Sequence, residues 1–184
     1  MSNNDYHFIT RWRIQGTIRE VADVLKNAEE LPRWWPSVYL DVQELDSGDG
    51  DGIGKVVALH TRGWLPYTLR WQFRVTESRY PFGYTLEAWG DFNGRGVWTF
   101  EQQGDWVNVV YDWKVRADKP LLRALSFLLK PVFAANHRWA MARGEESLTL
   151  ELERLRGQSE HPRAAGTAGV TAPPESCSSP DSTR

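Results

Sequence analysis

His137 is the polar side chain best placed for chemistry in this sequence. It sits in Asn136-His137-x-x-x-Met141-x-x-Gly144, a stretch whose apolar positions recur at helical spacing. An imidazole on the inner face of such a helix can hydrogen-bond a bound molecule or exchange a proton with it. The commoner fate of a lone histidine between apolar turns is to pack, so His137 stands as a weak catalytic candidate and the catalytic residues are otherwise unassigned. Tyr111 and Asn136 are the groups that could share proton transfer with it. Asn136 and Glu145 lie toward the helix flanks, where hydrogen bonds to a neighbouring backbone are expected.

Familiar constellations are absent. His7, His60, His137 and His161 are dispersed without ligand spacing, and there is no G-x-S-x-G, H-E-x-x-H or P-loop. The acidic run Asp46–Gly52 lacks the D-x-D-x-D-G register and the distal glutamate of a calcium loop, so it reads as a hairpin turn. Gly50-x-Gly52-x-Gly54 is followed by no helix and is not a dinucleotide fingerprint. Neither a metal site nor a cofactor is expected.

Composition narrows the classes further. A formal charge of −2 over 184 residues gives no electrostatic reason to approach a phosphate backbone, which argues against a nucleic-acid partner. The single cysteine, Cys177, builds neither a disulfide nor a cysteine zinc site within one chain and fits a cytoplasmic setting. The N-terminus lacks a secretory pattern and no apolar run approaches the ~20 residues of a bilayer span, so stable membrane insertion is not expected. Ten Trp, seven Phe and six Tyr supply ample ring surface for a core, with some left over.

The elements that must position these residues follow from period and punctuation. Tyr6–Ile14 alternates as a half-buried strand, with Tyr6, Phe8, Thr10, Trp12 and Ile14 on one face. Thr17 with Glu20 forms a capping box for a short helix, and Asn27 with Glu30 repeats the signal for a second, confined by Pro32 and Pro36. Six strands follow at about Val38–Leu45, Ile53–Thr61, Tyr67–Glu77, Gly83–Phe92, Gly96–Gln102 and Val107–Arg116, with a turn expected at Asn93-Gly94. Pro131 is expected to divide a lead-in, Leu121–Lys130, from a long helix ending near Leu155. The apolar stripe of that helix comprises Phe133, His137, Met141, Gly144, Leu148, Leu152 and Leu155. Residues 1–5 read as a flexible N-terminus, 6–156 as one domain, and 157–184 as a disordered tail of Ser, Pro, Gly, Ala and Thr.

This order of elements resembles the START-like or SRPBCC superfamily. More specific are Leu65-Pro66-Tyr67-x-Leu69, Gly90-Asp91-Phe92-x-Gly94-x-Gly96-x-Trp98 and the Asn136–Gly144 motif, which look like its polyketide cyclase/dehydrase-like branch. The resemblance implies an α+β helix-grip fold. In it a curved antiparallel sheet of about seven strands wraps a long C-terminal helix, with two short helices after the first strand. It also implies a cavity for a small hydrophobic or amphipathic ligand, lipid-like or polyketide-like, held as carrier or sensor.

The residues expected around that cavity are Trp35, Leu59, Tyr67, Trp71, Leu86, Trp98, Phe100, Tyr111, Trp113, Phe133, His137, Ala140, Met141 and Gly144. Gly144 costs a helix up to about 1 kcal/mol, which implies that a strand, a ring or a ligand approaches too closely for a β-carbon. Trp34, Trp35 and Trp64 are expected at the rim, and Leu121–Phe133 as a lid or as packing at the sheet end. Two other functions stay open. One is cyclisation or dehydration of an aromatic or polyketide-like substrate in the same cavity. The other is a protein-interaction module whose partners are unknown.

Overall fold

The computed structural model describes residues 5–117 and 120–164, and the side chains of all of these but 117, 120–129 and 160–164. Alternation decides the first element: β1 (Asp5–Gln15) turns Tyr6, Phe8, Thr10, Trp12 and Ile14 inward and its charged residues outward. At the corner that follows, Thr17 Oγ1 accepts from the Glu20 amide while Glu20 Oε2 accepts from the Thr17 amide at 2.7 Å. This reciprocal cap starts α1 (Ile18–Lys26). Asn27 makes no side-chain cap bond, contrary to the spacing: the Glu30 amide donates to the Asn27 backbone carbonyl at 3.3 Å, and the Glu30 carboxylate pairs with Arg33. A 3-10 turn at Ala28–Glu30 leads into α2 (Leu31–Trp34), with Pro32 in its first turn.

Six further strands complete one antiparallel sheet: β2 (Tyr39–Asp46), β3 (Val56–Arg62), β4 (Thr68–Ser78), β5 (Gly83–Gly90), β6 (Phe92–Gln103) and β7 (Trp106–Ala117). Their spatial order is β1-β7-β6-β5-β4-β3-β2. The sheet, its seven strands and the long terminal helix are those of the α+β helix-grip fold.

Two turns differ from expectation. Ile53–Lys55 belong to the β2–β3 connection, where Asp49 Oδ1 accepts from the amides of Asp51 and Ile53 at 3.0 and 2.8 Å, so its carboxylate is spent on the loop's own backbone. The next reversal falls at Gly90-Asp91 rather than Asn93-Gly94. Gly90 takes φ +125°, and Asp91 closes the corner by accepting from the Arg70 amide at 2.7 Å. Gly94 and Gly96 lie inside β6, and a β-carbon on Gly96 would stand 2.7 Å from the Tyr111 hydroxyl oxygen. Gly96 provides clearance for the Tyr111 and Trp113 rings and Gly94 for the Lys114 carbonyl and Val115, rather than a turn.

α3 (Pro120–Ala164) is one continuous helix of 45 residues, so Pro131 does not divide it. Proline removes one backbone hydrogen bond and costs roughly 3 kcal/mol in a helix interior. Phe133 holds the turn beyond it by edge contacts with Tyr6 at 6.1 Å and Tyr67 at 6.4 Å. The helix also continues through Gly157 to Ala164, past the boundary expected at Arg156. The disordered tail expected over 165–184 lies outside the described residues, as do residues 1–4 of the expected N-terminal segment.

The seat of α3 is Gly144. The Trp35 ring fills the space where its β-carbon would stand, and Trp35 is itself wedged among Trp12, Trp34 and Tyr39 at 5.8, 5.6 and 5.1 Å between ring centroids. Leu148 and Leu152 are wholly buried beyond this point, whereas Leu155, expected on the same stripe, is 39 % exposed where the helix overruns the sheet.

Polar ties flank the seat. Glu145 Oε1 accepts from the Arg13 amide at 2.9 Å on the outer edge of β1, covering a group that would otherwise be open to pairing. Arg156 donates to Glu20 Oε1 at 2.8 Å and to the Gln15 carbonyl at 3.1 Å. Glu151, only 4 % exposed, receives two N–H groups from Arg154 and two from Arg33, all within 2.7–2.8 Å. These bonds from Arg154 and Arg33 hold its carboxyl down at about 2.

Two outcomes are expected. Gly144→Ala gains helix propensity worth about 1 kcal/mol. It must also displace a locked Trp35 ring at the upper end of the ~1–3 kcal/mol overpacking range, so a net loss of about 2 kcal/mol is expected in urea unfolding. A depressed carboxyl stabilises the fold above its unfolded value of about 4.3 and loses that contribution as pH falls toward 2. The decline in stability across that window is therefore expected to be shallower in Glu151→Gln than in the native chain.

Candidate functional site

The sheet and helix do not fill the space between them. A cavity of about 200 Å³ lies at one end of the grip, where β1 and β4 begin and β3 and β7 finish. The half of α3 that faces it carries Phe133, His137, Ala140 and Met141, whereas the other half plugs its end of the sheet with Leu148 and Leu152. The small side chain of Ala140, set between larger neighbours, leaves the volume open.

Of the residues expected around a cavity, Trp35, Tyr67, Trp71, Tyr111, Trp113, Phe133, His137, Ala140 and Met141 line it. Leu59 and Leu86 are core residues instead, each 4 % exposed, because they sit deeper along β3 and β5. Trp98 is covered by Tyr111, whose ring stacks on it at 4.0 Å. Phe100 borders a different, smaller cavity, and the space at Gly144 belongs to Trp35.

Tyr6, Phe8, Val38, Tyr39, Leu69, Phe92 and Val115 also line the cavity and were not singled out from the sequence. Period-2 alternation had already placed Tyr6, Phe8, Leu69 and Val115 on the inward face. What it does not encode is which end of the sheet the helix leaves unfilled. At the expected rim, Trp34 is buried away from the cavity and Trp64 is 51 % exposed outside it, leaving Trp35 alone in the wall.

The wall is apolar and uncharged apart from Arg62, which is exposed at the margin and donates to the Ser37 carbonyl at 3.3 Å. His137 stacks on Phe8 at 4.2 Å and 19°, with its Nε2 buried and without a hydrogen-bond partner. Burial, with a smaller contribution from the neighbouring Arg138 charge, lowers its pKa to about 4, so the imidazole is neutral near pH 7. The Tyr6 hydroxyl is likewise buried and unpartnered. Burial also raises the pKa of Tyr39 and Tyr111, and it raises Tyr67 to about 12 with a lesser push from Tyr6, so these phenols stay protonated. The wall therefore offers neutral hydrogen-bonding groups on an aromatic surface.

Asn136 does not share in this chemistry. Its Oδ1 accepts from the amides of Trp64 and Leu65 at 2.9 and 3.4 Å, tying the β3–β4 loop to the helix. A side chain at position 63 would collide with the same amide, which accounts for Gly63. Two more grooves, of about 300 and 320 Å³, lie on the outer face around Asp41, His60 and Arg70, and beside the Arg33–Glu151–Arg154 cluster. The first mixes charged and amide groups with Leu59, Trp71 and Trp89, and the second is bordered by the charged cluster together with Val24, Trp34 and Leu155. Among the described residues no group of three or more His, Cys, Asp or Glu could hold a metal ion, and no helix is long and apolar enough to cross a membrane.

Comparison with known proteins follows the same lines. The family model described as polyketide cyclase/dehydrase and lipid transport matches residues 7–142. No curated protein sequence matches the chain significantly. Among solved structures, similarity extends to the Zhui aromatase/cyclase of Streptomyces sp. R1128, with a TM-score of 0.62 and 15 % identity over 90 % of this chain and 99 % of that one. A START superfamily protein of Mycobacterium smegmatis aligns with a TM-score of 0.61 and 14 % identity over 81 % and 98 %. A STAR-related lipid transfer protein of Xanthomonas axonopodis aligns with a TM-score of 0.53 and 16 % identity over 80 % and 85 %. At these identities the likeness is one of fold.

A buried, unpaired imidazole has a thermodynamic signature. The unfolded chain binds a proton at His137 near pH 6.5 and the folded chain only near 4, so stability falls as pH drops through that interval. His137→Phe removes both the titration and an unsatisfied polar atom. It is expected to flatten that slope and to raise stability at pH 5 by about 1 kcal/mol, read by thermal unfolding at several pH values.

Proposed function

This chain belongs to the polyketide cyclase/dehydrase and lipid transport family, and we propose that it binds a small, uncharged hydrophobic or amphipathic molecule in the cavity under α3, as carrier or sensor. The observation that carries this reading is the unpartnered pair, His137 Nε2 and the Tyr6 hydroxyl, at an otherwise greasy cavity. An orphaned buried polar atom costs about 1–3 kcal/mol, and a ligand bearing a hydroxyl or carbonyl would satisfy it.

Size bounds the ligand as well. An engineered apolar cavity of about 150 Å³ holds benzene, so a chamber of about 200 Å³ suits a substituted ring or a short alkyl chain with one polar end. Among the described residues a carboxylate would find no cation in the wall other than Arg62 to offset its desolvation.

A cyclase or dehydratase would use the same cavity, and the aromatase/cyclase among the structural neighbours supports that alternative at the level of fold. The geometry favours binding over proton transfer. An imidazole with a pKa of about 4 is a weak base at neutral pH, and Asn136 is spent on the Trp64 loop. No charge pattern favours nucleic acid, and the lone Cys177 fits a reducing cytoplasm.

Native mass spectrometry of freshly purified protein, followed by denaturing extraction, is expected to release a bound neutral hydrophobic molecule. Ala140→Trp, which fills the chamber from the helix side, is expected to lower affinity for that molecule at least tenfold while the protein stays folded. Unchanged binding in the folded variant would place the ligand elsewhere.

A further inference from the structure

A second cavity of about 60 Å³ lies between α1 and strands β4 to β6, and its relation to the first is defined by one row of rings. Strand register sets Tyr84 of β5 opposite Trp98 of β6, and Trp98 opposite Tyr111 of β7. The rings stack in that order, Tyr84 on Trp98 at 6.1 Å and 30°, then Trp98 on Tyr111 at 4.0 Å and 16°. Tyr84 borders only the small cavity, Tyr111 borders only the large one, and Trp98, 7 % exposed, borders neither. The pattern recurs on β4, where Trp71 faces the large cavity and Phe73, 6.1 Å away, faces the small one.

The small chamber has an apolar floor of Ala22, Leu25, Ala28, Val75 and Phe100, and it reaches the surface beside the exposed Lys26, Asp51 and Tyr80. Nothing in the packing of the core requires this second space. It continues the apolar interior along the sheet and is separated from the first chamber by side chains alone.

We infer that the Tyr84–Trp98–Tyr111 stack is a partition that sets the longest ligand the main cavity accepts, and that the chamber behind it is the closed-off remainder of one apolar channel. This rests on the reading of the main cavity as a ligand site. Two of its three rings are stacked on both faces, Trp98 between Tyr84 and Tyr111 and Tyr111 between Trp98 and Trp113, so it resists displacement by an alkyl chain. A chain that reaches it must stop or fold back, and further methylenes stay in water.

Unbranched primary alcohols from butanol to hexadecanol probe this directly, with affinity read by tryptophan fluorescence and calorimetry. In the native chain affinity is expected to rise about fourfold per methylene while the chain is being buried, then to level off at one length. In the double variant Tyr84→Ala/Trp98→Ala, which leaves Tyr111 unsupported on that face and free to turn into the vacated space, the levelling point is expected to move to longer alcohols, with the shorter ones binding as before. Adding Ala28→Leu, which refills the small chamber, is expected to move it back.

Should that double variant lose its folded circular dichroism spectrum, Tyr84→Val/Trp98→Leu carries the same test. Folded variants with an unmoved levelling point, or a native chain with no levelling point, would overturn the partition while leaving the main cavity as a site. Absence of saturable binding by every alcohol to the native chain would instead remove the reading of the cavity itself, and the partition with it.

Discussion

Everything in this fold is referred to the contact between Gly144 and the Trp35 ring. A helix of 45 residues crossing a curved sheet has many nearly equivalent positions along its axis, since Leu, Met and Ala side chains slide past one another at little cost. A ring sunk into the gap left by a missing β-carbon is not equivalent to its neighbours. It sets how far α3 is advanced along the sheet and how it is rotated. From that setting follow the burial of Leu148 and Leu152 at one end and the open volume under His137 and Ala140 at the other. The ion pairs at Glu151 and Glu20 then lock the rotation from the flanks.

Much of this was legible in the sequence, because alternation and capping are local. The inward faces of β1, β4 and β7, the Thr17–Glu20 box and the reason for a glycine at 144 can each be argued from a few neighbouring residues. What escaped depends on residues far apart in the chain. Asn93-Gly94 reads as a turn, yet the close approach of Lys114 and Val115 on β7 requires its glycine inside a strand. Pro131 reads as a helix break, yet packing around Phe133 carries the helix through it. Leu59, Leu86 and Trp98 share a face with the cavity residues, and only the axial position of α3 separates filled from unfilled sheet.

The interior is also selective in its polarity. Its polar groups are phenols and an imidazole, held neutral by burial, and an indole bound to Thr61, while the charged side chains are spent at the helix flanks and on the outer face. A wall of this kind discriminates against ions by desolvation, and among neutral molecules by whether they satisfy the orphaned atoms. Selectivity of that sort requires no catalytic constellation.

Asn136 gives the cavity a particular kind of doorway. Its amide binds the backbone of Trp64 and Leu65, and the next residue of the same helix is His137. The surface loop and the innermost polar contact therefore belong to one rigid body, and the loop cannot swing away by itself. Parting the loop from the helix would break two hydrogen bonds, each worth about 0.5–1.5 kcal/mol net. A form with the loop parted is thereby held to between about a fifth and about a hundred-and-fiftieth of the population it would otherwise have. Any exchange through that side of the cavity is slowed in both directions by the same factor, whatever the affinity of the molecule exchanged.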